Sequence, residues 1–271
     1  MILEMGNILC YNGNLIILLF HRRRQKRVGG RPAVNTHWFD YEFQMEDGTS
    51  TRFKVELEPD TLYLVQTHLD NPPDWSRLDF QQCPCCPLKP ETDPYCPIAI
   101  NIAELVERFK DVHSYNNCMV ICATADRTYS KETSVMEGLS SIFSIIMATS
   151  RCPVMDFFRP MARFHLPFAT IEENLIRAAS MFLLKQYYEY KRSLIGQFEL
   201  ESLENQYSLV QQINEGLLER IKSLGTEDAE KNAMVTLHSL STLLATEIDY
   251  SLTELEYMFT PRTESDKDSQ R

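Results

Sequence analysis

Glycine is scarce in this chain, with 9 in 271 residues. No glycine-rich loop able to cradle nucleotide phosphates is present. Nor is there a zinc-protease helix motif or a nucleophile elbow. Clustered positive charge is also missing from most of the chain. The net charge is −11. Residues 1–36 carry Arg22, Arg23, Arg24, Lys26, Arg27 and Arg31 against Glu4, a net of +5, which leaves −16 for the other 235 residues. An acidic body argues against a nucleic-acid partner, which needs a clustered basic face. Long apolar runs are lacking too. Leu15 to Phe20 is a run of six, far short of the about 20 residues that span a membrane. Its basic flank follows the apolar stretch, whereas a secretory signal places charge before it. No membrane span or export signal is therefore expected, and the cytoplasm is the default compartment.

What the chain does have is cysteine followed by proline. Four of its 8 cysteines form such pairs: Cys83-Pro84, Cys86-Pro87, Cys96-Pro97 and Cys152-Pro153. With 13 prolines, even composition would give about 0.4 pairs. Proline biases the residue before it towards extended geometry and itself lacks a backbone donor. A thiol in a stiff loop suits a metal ligand or a reactive sulfur. In a cytoplasmic protein, eight cysteines point to metal binding, catalysis or burial before disulfides.

Hydrophobic patterning predicts an α+β fold, with a small antiparallel β-sheet followed by a mainly helical region ending in a long helical hairpin. Phe39, Tyr41, Phe43 and Met45 alternate with polar residues, Asp47-Gly48 marks a turn, and Phe53, Val55 and Leu57 alternate again. Acidic side chains of the first strand (Asp40, Glu42 and Glu46) can then face Arg52 and Lys54 across the ladder. Leu62 to Val65 is expected to add a third strand. Residues 72–97 hold seven prolines with Cys83, Cys85, Cys86 and Cys96, a loop that needs something to hold it. A helix is predicted over Ile98 to Phe109 and a buried strand over Cys118 to Ala125, where Cys118 and Cys122 pack as small hydrophobes.

Ser134 with Glu137, and Thr170 with Glu173, have capping-box spacing. They predict helices to about Ala148 and Tyr190, the second of them central to the core. Leu200, Leu203, Tyr207, Val210, Asn214, Leu217, Ile221 and Leu224 follow a heptad seam. A second helix is expected over Asp228 to Phe259. The pair reads either as a dimerising coiled coil, giving a homodimer, or as an antiparallel pair within one chain, which the short connection favours. The organisation expected is an extension over 1–36, disordered or from an upstream start, then an α+β core over 37–192. A helical hairpin over 193–260 and a disordered tail over 261–271 complete it.

Cys83-Pro-Cys-Cys-Pro-Leu88, Cys96-Pro-Ile-Ala99 and Arg127-Thr-Tyr-Ser-Lys131 stand out as motifs, with Met147-Ala-Thr-Ser-Arg-Cys-Pro153 and Pro160-Met-Ala-Arg-Phe-His-Leu-Pro-Phe-Ala169. Through them the chain resembles a group of bacterial proteins of unknown function over about residues 37–190, the last motif being the most specific. The resemblance implies a soluble bacterial protein and brings over no catalytic residue.

The cysteines support several chemistries. Cys83 and Cys86 have the spacing that lets one turn grip an ion twice, and Cys96 and Cys152 complete a tetrahedral four-thiolate set suited to zinc. Cys85 or His165 could replace one of the four. The working expectation is a structural zinc-type metal with a binding or regulatory role and no assigned catalysis. Iron, as a cluster or as thiolate-bound haem, is a second possibility, although the spacing matches neither usual cluster series. Thiol-redox chemistry is a third. There Arg127, Lys131 or Arg163 would lower a thiol pKa and His165 would act as a base for Cys152. The same three cations could instead form an anion pocket near a helix start. A metal-free structural or interaction protein is the remaining reading.

Overall fold

The computed structural model describes residues 9–11, 14–16, 37–65, 70–193, 200–225, 229–246 and 252–259. The chain divides into two compact units, Met1–Asn35 and Thr36–Arg271. In the first, strands β1 (Leu9–Tyr11) and β2 (Asn14–Ile16) pair antiparallel. The readings made for the basic stretch after Phe20 and for the tail from Pro261 lie outside the described residues.

The second unit opens with β3 (His37–Met45) and β4 (Ser50–Leu57). Phe39, Tyr41 and Phe43 are buried while the residues between them are not, so period two builds a sheet with one core face. Gly48 takes a left-handed φ of 84° at the turn, where a side chain would be strained. Glu42 pairs with Arg52 in register and binds it at 2.6 Å. Strands β5 (Asn117–Ala123) and β6 (Thr128–Ser134) complete a four-stranded antiparallel sheet of order β4-β3-β5-β6. Val55, Phe53, Cys122 and Val120 lie opposite the buried residues of β3. Cys118 and Cys122 are buried with them, and burial pushes their thiols up to about 11 and about 12. They pack.

Leu62 to Val65 is not a strand, because only an isolated bridge joins Leu64 to Leu57. The fourth strand is instead β6, which is mostly exposed and polar.

Helices α1 (Pro97–Phe109) and α2 (Val135–Thr149) lie against the sheet, with Phe109 and Phe43 ring to ring at 4.9 Å. Ser134 caps α2 by accepting from the Glu137 N–H. This helix is buried on nearly every side and is the centre of the core. The expectation had placed α4 there. After the short helix α3 (Arg159–Ala162), α4 (Ile171–Ser193) buries only Leu175, Ala178, Ala179 and Phe182. Its later Tyr187, Tyr188 and Tyr190 are exposed. The capping box at its start is reciprocal, with Thr170 N–H on Glu173 at 2.8 Å and Glu173 N–H on Thr170 at 3.1 Å.

Helices α5 (Glu201–Lys222) and α6 (Ala229–Thr246) pack on each other. Asn214 donates to Ser241 at 3.1 Å, and the two residues lie at similar sequence distances from the connection, as in an antiparallel pair. Leu203, Tyr207, Val210, Asn214, Leu217 and Ile221 are buried. The protein is therefore a small antiparallel sheet followed by a mainly helical region. Among the described residues the second helix of the pair ends at Thr246, and a short turn, Glu256–Met258, follows later. No described helix is long and apolar enough to cross a membrane.

Candidate functional site

The Cys-Pro loop is ordered, and its prolines explain themselves locally. Pro97 is the first residue of α1, with Cys96 extended as its cap, the position where a missing N–H costs least. Pro84 follows the first residue of a turn closed by Cys86 N–H on the Cys83 carbonyl at 3.0 Å. Pro153 does the same in a turn closed by Met155 N–H on the Cys152 carbonyl at 3.0 Å. Proline at the second turn position is pre-set for this conformation. Three of the four Cys-Pro pairs thus start turns or a helix.

Cys83, Cys85, Cys86, Cys96 and Cys152 all contribute to the wall of one small cavity, with Leu88, Ile98, Ile213 and Leu217 as aliphatic neighbours. Its volume is about 20 Å³, room for a single water. Sharing a wall is not coordination. Among the described residues, no group of three or more Cys, His, Asp or Glu side chains is placed to hold a metal ion. The expected zinc site on Cys83, Cys86, Cys96 and Cys152 is corrected accordingly, and so is the iron alternative.

The thiols have individual neighbours instead. Cys83 Sγ lies against Gly216 of α5, so close that a Cβ there would sit 2.6 Å away. Cys85 donates weakly to the Leu209 carbonyl at 3.8 Å. Burial, and then the neighbouring Cys96 and Cys85, push Cys83 up to about 12, against the opposing pull of Arg220. Burial raises Cys152 to about 11 despite the N–H groups of Met155 and Val154. An attacking sulfur needs to be a thiolate, and these two sites favour the thiol. The seven cysteines described in this respect are free.

What holds the loop is Arg220 of α5, a residue the sequence reading passed over. It is 1% exposed. Its guanidinium donates to the carbonyls of Trp75 and Arg77, both at 2.7 Å, and of Leu78 at 3.2 Å. Each is a charge-assisted bond, stronger than a neutral one. The loop's ends are tied to each other as well, through Cys96 N–H on the Ser76 carbonyl at 2.8 Å and Leu78 N–H on the Pro94 carbonyl at 3.0 Å. A planar cation from 145 residues away does what a metal was expected to do.

His165 is nowhere in this group. Its Nε2 lies 2.6 Å from the Tyr41 hydroxyl and 3.3 Å from Ser141 Oγ, and Tyr41 is 2.9 Å from Ser141. Burial and the Arg177 guanidinium push the imidazole down to about 3, so it is neutral at ordinary pH. A base that weak is far from the operating pH that general catalysis favours. The triangle fastens residues 160–169 to β3 and α2. Nor do the expected cations surround a thiol or gather as an anion pocket. Lys131 binds Glu137 at 2.9 Å, Arg127 reaches Tyr129 at 3.5 Å, and Arg163 lies 3.3 Å from both ring nitrogens of His37.

A second cavity is far larger, about 700 Å³, within the usual span of small-molecule sites. It opens between α2, the start of α4, α5 and α6. Met161, Ala162, His165, Leu166, Phe168 and Ala169, all from the Pro160 to Ala169 motif, form one wall. Phe168 holds a left-handed φ of 59°, a strained state for a bulky residue and a frequent mark of functional segments. Its exposed surface is mostly apolar, while polar side chains make up about half of the lining residues, Ser141, Ser144, Asn214 and Ser241 among them. Asn214 is 1% exposed, and its Oδ1 has no hydrogen-bond partner among the described residues. Arg177 also lines this space. It donates to the carbonyl of Phe164 at 3.0 Å and of Met161 at 3.4 Å, with Asn174 Oδ1 at 3.5 Å. Burial holds its pKa below the usual arginine range.

The chain belongs to the family described as a domain of unknown function, DUF6901, whose model matches residues 39–260. No curated protein matches it, and no solved structure does.

Proposed function

We propose that this is a metal-free binding protein that takes a small organic molecule in the larger cavity. The observation that carries this reading is the cavity itself: about 700 Å³ with a mostly apolar surface and polar side chains among its lining residues, a size and surface that suit a small-molecule site. The strained backbone at Phe168 supports it, because strain persists where surrounding structure and use retain it. Catalysis is not part of the reading, since the one histidine in the wall stays neutral and is held by two hydroxyls. Free thiols support a reducing compartment such as the cytoplasm, and the acidic charge supports a partner other than nucleic acid. A homodimer through α5 and α6 is left out, because that seam is buried against its own chain.

The test is a neutral apolar dye. Nile red titrated into the full chain is expected to brighten with saturation at one dye per chain. Ser144→Phe, which fills the cavity from α2, is expected to abolish the signal while leaving far-UV circular dichroism unchanged. Equal brightening in a folded Ser144→Phe variant would overturn the reading, and so would no brightening in the wild type.

A further inference from the structure

Arginine carries five N–H donors in a planar fork, and in the larger cavity Arg177 does not use them all. Three contacts are made: two from Nη2, to the Phe164 and Met161 carbonyls, and one from Nη1 to Asn174. No carboxylate forms an ion pair with Arg177 among the described residues. The nearby acids are engaged elsewhere. Glu137 binds Lys131 and Thr133, and Glu173 accepts from the Thr170 N–H. Lys131 and Glu137 cancel as a pair in the wall, which leaves Arg177 as the cavity's net charge. Glu173 acts on Arg177 only at longer range, so this partly buried cation has carbonyl and amide oxygens but no carboxylate in contact. A charge removed from water is costly without a close counter-ion.

We infer that the ligand is an organic anion of intermediate size, an apolar chain or ring system ending in a carboxylate that sits on Arg177. A carboxylate matches the planar fork in shape as well as charge. The apolar body lies along Met161, Leu166, Phe168 and Ile145, which line the same space. This inference rests on the ligand-binding reading of the same cavity.

The experiment displaces Nile red from the full chain at pH 7.5 with two matched pairs, decanoate against decanamide and 1-naphthylacetate against 1-naphthylacetamide. Each carboxylate is expected to displace the dye at a concentration about tenfold or more below its amide, the scale of one charge-assisted bond. Arg177→Met is expected to bring the carboxylates to the level of the amides, and Arg177→Lys to restore part of the preference. Amides as effective as carboxylates in the wild type would overturn the anion while leaving the cavity as a binding site. Dye binding absent from the wild type would remove both. The wild-type comparison needs no variant, so it decides even where Arg177→Met unfolds.

Discussion

Two arginines in two regions of this protein face the same kind of partner and end differently. In the Cys-Pro region Arg220 is enclosed, and three loop carbonyls take its donors at 2.7 to 3.2 Å. Beside it five cysteines wall a space of about 20 Å³. In the larger cavity Arg177 also rests on carbonyls, more loosely at 3.0 and 3.4 Å, and opens onto about 700 Å³. The first region is rich in sulfur but has little room, and burial holds Cys83 and Cys152 as thiols. The second holds ordinary side chains around Arg177, which has no carboxylate in contact among the described residues. On the reading proposed above, space beside a cation without a contacting carboxylate is a better guide to a site than an accumulation of sulfur.

The sharpest way to break that contrast is Arg220→Met. Three buried carbonyls would lose their donor, at about 1 kcal/mol or more each, so urea unfolding is expected to show a loss of about 3 kcal/mol or more. Arg177→Met is expected to cost less than Arg220→Met in the same measurement, since its bonds are longer and its site wetter. Equal losses would mean that Arg177 too is mainly a clamp. Next in size is Gly216→Ala, where a Cβ would lie 2.6 Å from Cys83 Sγ. Overpacking of about 1–3 kcal/mol is expected to outweigh the about 1 kcal/mol that alanine gains in a helix. In a Cys83→Ala background the sign should reverse, because the other Cys83 atoms are at 3.6 Å. A sign that stays the same would place the strain elsewhere.

Acid titration sharpens the comparison from the other side. His165 is held at about 3 when folded, against about 6.5 unfolded, so the unfolded chain binds its proton first. The stability from keeping it neutral is complete above about pH 6.5 and declines as pH falls towards 3. His165→Gln should flatten the stability profile across that window, and a profile unchanged by the substitution would refute the assignment. The smallest expected effect is in the Cys-Pro region. A chelator should leave the unfolding temperature where it was. Cys83 and Cys152 should resist a thiol reagent at pH 8 until the protein is denatured.

Much of the scaffold was legible because single segments carry their own pattern. Phe39, Tyr41 and Phe43 announce one sheet face, Thr170 and Glu173 a helix start, and Leu203 to Ile221 a seam. Strand β6 was not, because an exposed edge strand such as Thr128–Ser134 has no apolar face to alternate. The paired cysteines were over-read, since the same Cys-Pro step that would hold a ligand also starts a turn, and three of the four do that. Arg220 was hidden for a related reason. It stands among the polar residues of an amphipathic helix, and nothing local distinguishes a buried arginine from a solvated one. The larger cavity was illegible on principle, being assembled from four helices and a connecting segment. Only the Pro160 to Ala169 motif pointed towards it, and without saying what it surrounds.

The distance in sequence between the clamp and what it grips sets an order of events at birth. The carbonyls of Trp75, Arg77 and Leu78 leave the ribosome while Arg220, 145 residues beyond the first of them, has yet to be translated. At about 5–20 residues per second, that leaves the proline-rich segment without its anchor for roughly 7–30 s. A nascent chain stopped before α5 would present that segment, thiols included, to any protease or chaperone nearby.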